Sequence, residues 1–387
     1  MEIEGRVARL RALMAEKVLD GVLVTKEESV HYFSGFRGDS TALLITPERL
    51  LLMTDNRYTE QAQLQAPSYD IVEQHEGLSK KIVEAAQELG VLALGFEGGA
   101  LTCDRYEQLK PMLGEISFDT SLSLDALRMV KDADEIAAIR RACAIADAAF
   151  AHIITVIRPG MTECEVAAEM EYFMRREGSE RPAFTTIVAS GVRGSLPHGV
   201  ASTKEIARGE LVTMDFGAVY EGYCSDITRT ICVGRADAHQ RERYDAVLAA
   251  QERALAALHP GVTGIEADRV ARDALAEKNL AQYFGHGLGH SLGLEIHEEP
   301  RAVAETLRGR TGDGGRLHLD ELRIDESVLR AVDKIIVVAC GTAAYAGHVA
   351  KYAIEHWCRI PVEVELAHEF RYRDPVVNEK TLVVAIS

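Results

Sequence analysis

No CxxC pair occurs anywhere in this chain, and its seven cysteines, at positions 103, 143, 164, 224, 232, 340 and 358, are odd in number and scattered. That pattern excludes a zinc ribbon, argues against a disulfide framework, and predicts reduced thiols in a cytoplasmic protein. Long apolar runs are missing too. A bilayer-spanning helix needs about 18 or more consecutive apolar residues, and none is present. The N-terminal MEIEGRVARL is charged from its second residue and has no apolar core of a secretory signal. Neither export nor membrane insertion is expected. Positive charge is scarce, with 43 Lys and Arg against 60 Asp and Glu and a formal charge of −17, nearly all of it carried by residues 1–300. Such a surface disfavours nucleic acid and anionic membranes as partners, yet it suits a site that concentrates metal cations. Repeats and low-complexity linkers are absent, and an apolar fraction of 47% excludes a disordered chain.

What is present divides into regimes, and 387 residues favour two or three domains over one. Residues 6–19 place Val7, Leu10, Met14 and Val18 on one helical face, followed by the short apolar strand GVLVT. The segments TALLIT and LLLMT read as strands separated by the turn PER. DIVEQ, a helix near 78–89, VLALGF and a helix from about 102 complete an α/β domain ending near residue 125. Asp132 with Glu135 then forms a D-x-x-E capping signal for a long helix, which RPG ends. Thr162 and Glu165 open another, with Val166, Met170 and Phe173 on its buried face. Strands follow in FTTIVASG and ELVTMDFGAVYEGYCSDITRTICVG. A pair of helices near 238–258 and 263–278 leads into GHGLGHSLGLEIHEEP.

Two carboxylates, Asp215 and Asp226, stand eleven residues apart in MDFGAVYEGYCSDITRT. If YEGY is a hairpin turn, adjacent antiparallel strands bring them together. Taken alone, such a pair is more often one turn aspartate and one surface aspartate. His290 in the glycine-flanked HGLGH shifts the balance. Convergent carboxylates repel unless they share a proton or bind a cation. Two carboxylates with one imidazole make a mixed oxygen and nitrogen set suited to Mn, Co, Fe or Zn. His198 in GSLPHGVAS, His286 and His297 in LEIHEEP lie beside Gly or Pro in expected loops, where imidazoles serve proton transfer and substrate contact.

These phrases carry a resemblance. TDNRY, LRMVKDADEIAAIR, DFG…EGYCSDITRT and HGLGHSLGLEIHEEP together make residues 1 to about 300 similar to the creatinase/prolidase-type metallopeptidases, the Xaa-Pro aminopeptidase group. The resemblance implies an α/β creatinase-like domain over residues 1–127 and an α+β pita-bread catalytic domain over residues 128–300. It implies cleavage of the bond before proline by a hydroxide activated between two divalent metals, Mn, Co, Zn or Fe. Asp215, Asp226 and His290 correspond to metal ligands, with Asp226 the bridging one. His198 corresponds to the residue stabilising the tetrahedral intermediate and His297 to the substrate-contacting one, with His286 nearby. The implied partner is a peptide with proline in second position, in a chain compatible with a homodimer.

The departure matters as much. The family uses two further Glu ligands, in phrases like T-x-E-P-G and R-x-E-D, and nothing in residues 298–387 fits that context. Two divalent ions bring four positive charges, which two aspartates and a hydroxide leave under-compensated. A weakly held second metal and impaired hydrolysis are therefore expected. The final strands of the catalytic sheet are also missing from the pattern, so the domain is expected to be truncated at its C-terminal end, with exposed strand edges.

Residues 301–387 follow another pattern. KIIVVA and TLVVAIS read as buried strands, VEVELA alternates at period two, and CGTAAYAG before the helix HVAKYAIEHW is a candidate phosphate cradle. The wording closely resembles the start of the sugar isomerase (SIS) half of glutamine–fructose-6-phosphate aminotransferase, which implies a partial α/β parallel-sheet domain. Gly341 and Thr342 correspond to its sugar-phosphate loop. Ala343 stands where that family commonly has Ser, and Ser387 stands where its second phosphate loop begins. That enzyme also carries a phrase like EIHEQPRAVAETL, so residues 295–300 resemble both families. A non-catalytic pita-bread binding module, a sugar-phosphate-binding fragment and a fusion of two partial genes at this seam are the competing readings.

Overall fold

The computed structural model describes residues 2–259, 261–299, 332–339, 360–366 and 380–386. The chain divides into two compact units, residues 1–309 and 310–387.

In the first unit the helices α1 (Ile3–Glu16), α2 (Glu27–Ser34), α3 (Thr59–Gln65), α4 (Leu78–Glu88), α5 (Cys103–Leu113) and α6 (Asp125–Arg128) accompany six strands. Those are β1 (Gly21–Val24), β2 (Ala42–Ile45), β3 (Leu50–Thr54), β4 (Asp70–Glu73), β5 (Ala93–Glu97) and β6 (Ser117–Leu122). They form one mixed sheet in the order β4-β3-β2-β1-β5-β6. Alternation of the pleat explains the continuous apolar runs. Val22, Val24, Leu43, Ile45 and Leu52 enter one core with Val7, Leu10 and Met14 of α1. Leu23, Ala42, Leu44, Leu51 and Met53 enter another with Ile82, Val83 and Leu109 of α4 and α5. One expectation fails at the end of α1. Val18 is 82% exposed, because the helix stops at Glu16 and Val18 adopts a left-handed φ of 57°. Leu19 takes its place in the core.

The long helix α7 (Ala133–Val156) and α8 (Glu163–Arg176) both begin with capping boxes, at Asp132 with Glu135 and at Thr162 with Glu165. They cover one face of the antiparallel sheet β11-β8-β7, built from β7 (Ile187–Ser190), β8 (Leu211–Phe216) and β11 (Ile227–Cys232). Val212, Met214 and Phe216 of β8 meet Ile145, Ala149, Val166, Met170 and Met174 there. Met174, rather than Phe173, completes the buried stripe of α8. Phe173 is half-buried and stacks on His152 with ring centroids 4.3 Å apart. Between β8 and β11 lies the two-strand hairpin of β9 (Val219–Tyr220) and β10 (Tyr223–Cys224). Its turn residues Glu221 and Gly222 both have positive φ, 49° and 82°, as a two-residue hairpin requires. The helices α9 (Ala238–Ala257) and α10 (Gly264–Ala276) pack on each other through alanines.

In the second unit β12 (Lys334–Ala339), β13 (Val362–Leu366) and β14 (Thr381–Ile386) form a parallel sheet in the order β13-β12-β14. Gly341, Thr342, Ser387 and the segment HVAKYAIEHW lie outside the described residues.

Candidate active site

Asp215 emerges on the face of β8 opposite the helices, because Met214 and Phe216 on either side point into the core. Its neighbour across the ladder is Thr228, whose hydroxyl donates to Asp215 Oδ1 at 2.8 Å. Asp226 lies one residue before β11 begins. Two backbone segments approach closely here: a Cβ on Gly217 would come within 1.9 Å of the Ser225 carbonyl oxygen. The Ser225 hydroxyl accepts from the Ala218 amide at 2.9 Å and donates to the Ala142 carbonyl of α7 at 3.2 Å. The crossing that places Asp226 beside Asp215 is therefore fixed to the helix layer.

His290 Nε2 stands 3.3 Å from Asp226 Oδ2, while its Nδ1 faces the Ser291 carbonyl at 3.1 Å. Both ring nitrogens point at acceptors, and a neutral imidazole satisfies only one of them. The arrangement calls for a proton or another cation between His290 and Asp226. The pKa shifts have the same origin. The hydrogen bond to Asp226 raises His290. Burial raises Asp215 against the Thr228 hydroxyl, and the adjacent Asp226 charge raises it further, while His198 opposes. The His297 ring lies 4.2 Å from that of His290, centroid to centroid. His286 packs differently: its ring sits edge-on to Phe284 at 4.8 Å and its Nδ1 faces the Gly287 carbonyl at 2.9 Å. Asp215, Asp226, His290 and His297 thus come together, His198 acts on Asp215 electrostatically, and His286 has its contacts with Phe284 and its own loop.

Two carboxylates and an imidazole have the donor chemistry of a divalent cation site. Among the described residues, however, no group of three or more His, Cys, Asp or Glu side chains is gathered closely enough to hold a metal ion. The donors present do not fit a metal pair. Glu298, the one buried carboxylate of EIHEEP at 4% exposure, is engaged by Lys131 Nζ at 2.8 Å.

Sequence reasoning passed over the clasp that holds this segment. Glu295 receives Lys26 and Arg128, each at 2.5 Å, and Ser291 and Glu298 form an antiparallel bridge. Gly293 makes room for it, since a Cβ there would meet Glu298 Oε2 at 2.5 Å. Three cations from residues 26–131 thus orient the loop carrying His290 and His297. The only signal in the sequence was an acidic cluster, Glu295, Glu298 and Glu299, downstream of basic residues around 128–131.

Known proteins resemble this chain in sequence and fold. Residues 6–130 match the creatinase/prolidase N-terminal domain and residues 137–320 match metallopeptidase family M24. The chain is 41% identical over 299 residues to the Xaa-Pro dipeptidase of Pyrococcus horikoshii, covering 76% of this chain and 83% of that one. The chain belongs to metallopeptidase family M24. Its creatinase-like and pita-bread domains superpose on the structure of an Xaa-Pro dipeptidase from Bacillus anthracis with a TM-score of 0.74 and 45% identity, covering 78% of this chain and 84% of the other. Divalent metals are the cofactors such a family implies. The M24 portion is followed by an SIS domain match over residues 328–387. Over 112 residues the chain is 78% identical to the glutamine–fructose-6-phosphate aminotransferase of Corynebacterium diphtheriae, which is 29% of this chain and 17% of that protein. Shares of 76% and 29% exceed the whole chain, so the two likenesses overlap. Among the described residues no helix is long and apolar enough to cross a membrane.

Proposed function

We propose that residues 1–300 are an Xaa-Pro peptidase, of dipeptidase or aminopeptidase type, whose hydrolysis is impaired because two Glu ligands are missing. The observation that carries this reading is the convergence of Asp226 and His290 at 3.3 Å beside Asp215, an arrangement that demands positive charge between its members. In this reading Asp215, Asp226 and His290 are the ligands that a Mn, Co, Zn or Fe cation would draw together from their present spacing, and the second metal of the family pair binds weakly. His198 and His297 offer imidazoles to the carbonyl and the reacting end of a peptide with proline in second position, and His286 borders the same loop. A homodimer and a cytoplasmic location belong to the same proposal, as do the boundaries 1–127, 128–300 and 301–387.

The test pairs metal analysis with turnover. Purified chain and a complete family member receive an Xaa-Pro dipeptide with Mn²⁺. The expected result is less than two equivalents of metal and turnover at least about 100-fold lower, a loss on the scale of removing a transition-state-stabilising group. Equal turnover sinks the impairment, and failure to bind either Mn²⁺ or the dipeptide sinks the peptidase reading.

The 78% identity to an aminotransferase favours a second reading for the tail, sugar-phosphate binding by Gly341, Thr342 and Ser387. Fructose 6-phosphate should then protect the amides of residues 341–350 from hydrogen exchange, and unchanged exchange removes it. The overlap of the two likenesses supports an origin by fusion of two partial genes, which sequencing the locus across codons 295–301 decides.

A further inference from the structure

Between β7 and β8 the chain makes a loop, residues 191–202, that carries His198 on its exposed side. A single carboxylate ties both ends of this loop to its middle. Glu163, the first residue of α8, is fully buried and accepts five hydrogen bonds. The Ser190 amide and hydroxyl reach Oε1 at 2.8 and 2.9 Å. Oε2 takes the Ser202 hydroxyl at 2.6 Å, the Ser202 amide at 3.2 Å and Arg193 Nε at 3.0 Å. Arg193 passes the tie onward, its Nη2 donating to the Val200 carbonyl at 2.7 Å. The helix reciprocates: its Glu163 and Cys164 amides, which lack intrahelical partners, donate to the Lys204 and Ser202 carbonyls, each at 3.0 Å. Burial pushes the Glu163 pKa up, but these donors outweigh it and hold the group below the ordinary carboxylate value.

We propose that Glu163 is a positioning residue, which closes the loop 191–202 and so fixes the place of His198. His198 joins the clasp through its backbone, its carbonyl accepting from the Val200 amide at 2.9 Å, so its place depends on Ser190, Arg193 and Ser202 being drawn to one point. The assignment rests on the peptidase reading for its purpose, but its test uses neither turnover nor metal, so either can fail alone.

Glu163→Gln leaves an acceptor for Ser190 and turns an amide N–H₂ toward Arg193 and Ser202. The expected result is exchange of the 192–200 amides at least about 10-fold faster and a displaced His198 Cε1–H proton resonance, with β7 and β8 amides unchanged. Arg193→Gln, at a side chain 28% exposed, should produce the same resonance change more weakly and stands in if the first variant does not fold. Combining the two should add little to Glu163→Gln alone, as for members of one network. An unmoved His198 resonance, or equal acceleration across loop and strands, overturns the assignment.

Discussion

Arg6 of α1 and Asp132, the N-cap of α7, are joined by two hydrogen bonds, 3.1 Å from Nε and 2.6 Å from Nη2. Arg6 is fully buried, Glu135 lies 3.6 Å from the same guanidinium, and Nη1 donates to the Tyr32 carbonyl at 3.0 Å. The capping box that starts α7 is therefore also the anchor of the N-terminal domain. The Tyr223 hydroxyl extends the connection to the β9–β10 hairpin by donating to Glu135 Oε1 at 3.1 Å. Position of the aspartate-bearing strands thus depends on a guanidinium more than a hundred residues earlier in sequence.

Removing that guanidinium should be costly. Arg6→Ala leaves two carboxylates near each other with no counter-charge, and breaking one side of such a buried pair costs about 3–5 kcal/mol. Arg6→Lys keeps the charge but loses the fork that meets Asp132 twice, so an intermediate loss is expected. Urea unfolding measures both, and a change below about 1 kcal/mol for Arg6→Ala would show that the pair is not an anchor.

The Asp226–His290 pair should behave in the opposite way. Each partner is 25% exposed, so the pair contributes at most about 1 kcal/mol in water. Asp226→Asn should leave the melting temperature nearly unchanged while lowering Mn²⁺ affinity by at least the roughly 10–100-fold that loss of a supporting metal-site group costs. Calorimetric titration beside a thermal melt separates the two. A large fall in melting temperature with unchanged Mn²⁺ affinity would mark Asp226 as structural.

How much of this was legible in sequence depends on how local the cause is. The capping boxes at 132 and 162 and the YEGY turn are written in adjacent residues, and the structure forms them as expected. Asp215, Asp226 and His290 were visible as residue types, though their meeting depends on a close approach at Gly217 that no periodicity announces. The clasps at Glu163 and Glu295 were illegible for the same reason. Glu163 draws partners from 27 to 39 residues away and Glu295 from 167 to 269, and a buried glutamate looks in sequence like any solvated one. Val18 lies outside the core because α1 ends at Glu16, a stop that the apolar period alone does not announce.

His31 should make the fold pH-sensitive. It is buried, with Nδ1 facing the Gly35 carbonyl and Nε2 the Glu221 carbonyl, each at 3.3 Å. Burial first, and then the nearby Arg37 charge, lower its pKa to about 4. Between that value and the unfolded value of about 6.5 the unfolded chain binds the extra proton, so stability falls as pH drops through this window. The loss should approach roughly 3 kcal/mol by pH 4 and be complete below it. His31→Gln should flatten that part of the stability profile. An unchanged profile in the variant would assign the acid sensitivity to other groups.

Gly217 offers a test of how the carboxylate spacing is set. A methyl group there would sit 1.9 Å from the Ser225 backbone oxygen, which has no rotamer by which to move away. Gly217→Ala therefore has to part the two backbone segments immediately before Asp226, at an overpacking cost of about 1–3 kcal/mol or somewhat more. Because Thr228 keeps Asp215 in the β8–β11 ladder at 2.8 Å, the displacement falls on Asp226. The variant should melt lower and bind Mn²⁺ more weakly, unlike Asp226→Asn, which should affect the second alone. Thermal melts and Mn²⁺ titration of both variants distinguish a lost donor from a misplaced one. A destabilised Gly217→Ala protein with unaltered Mn²⁺ affinity would show that this crossing holds the fold without setting the distance between Asp215 and Asp226.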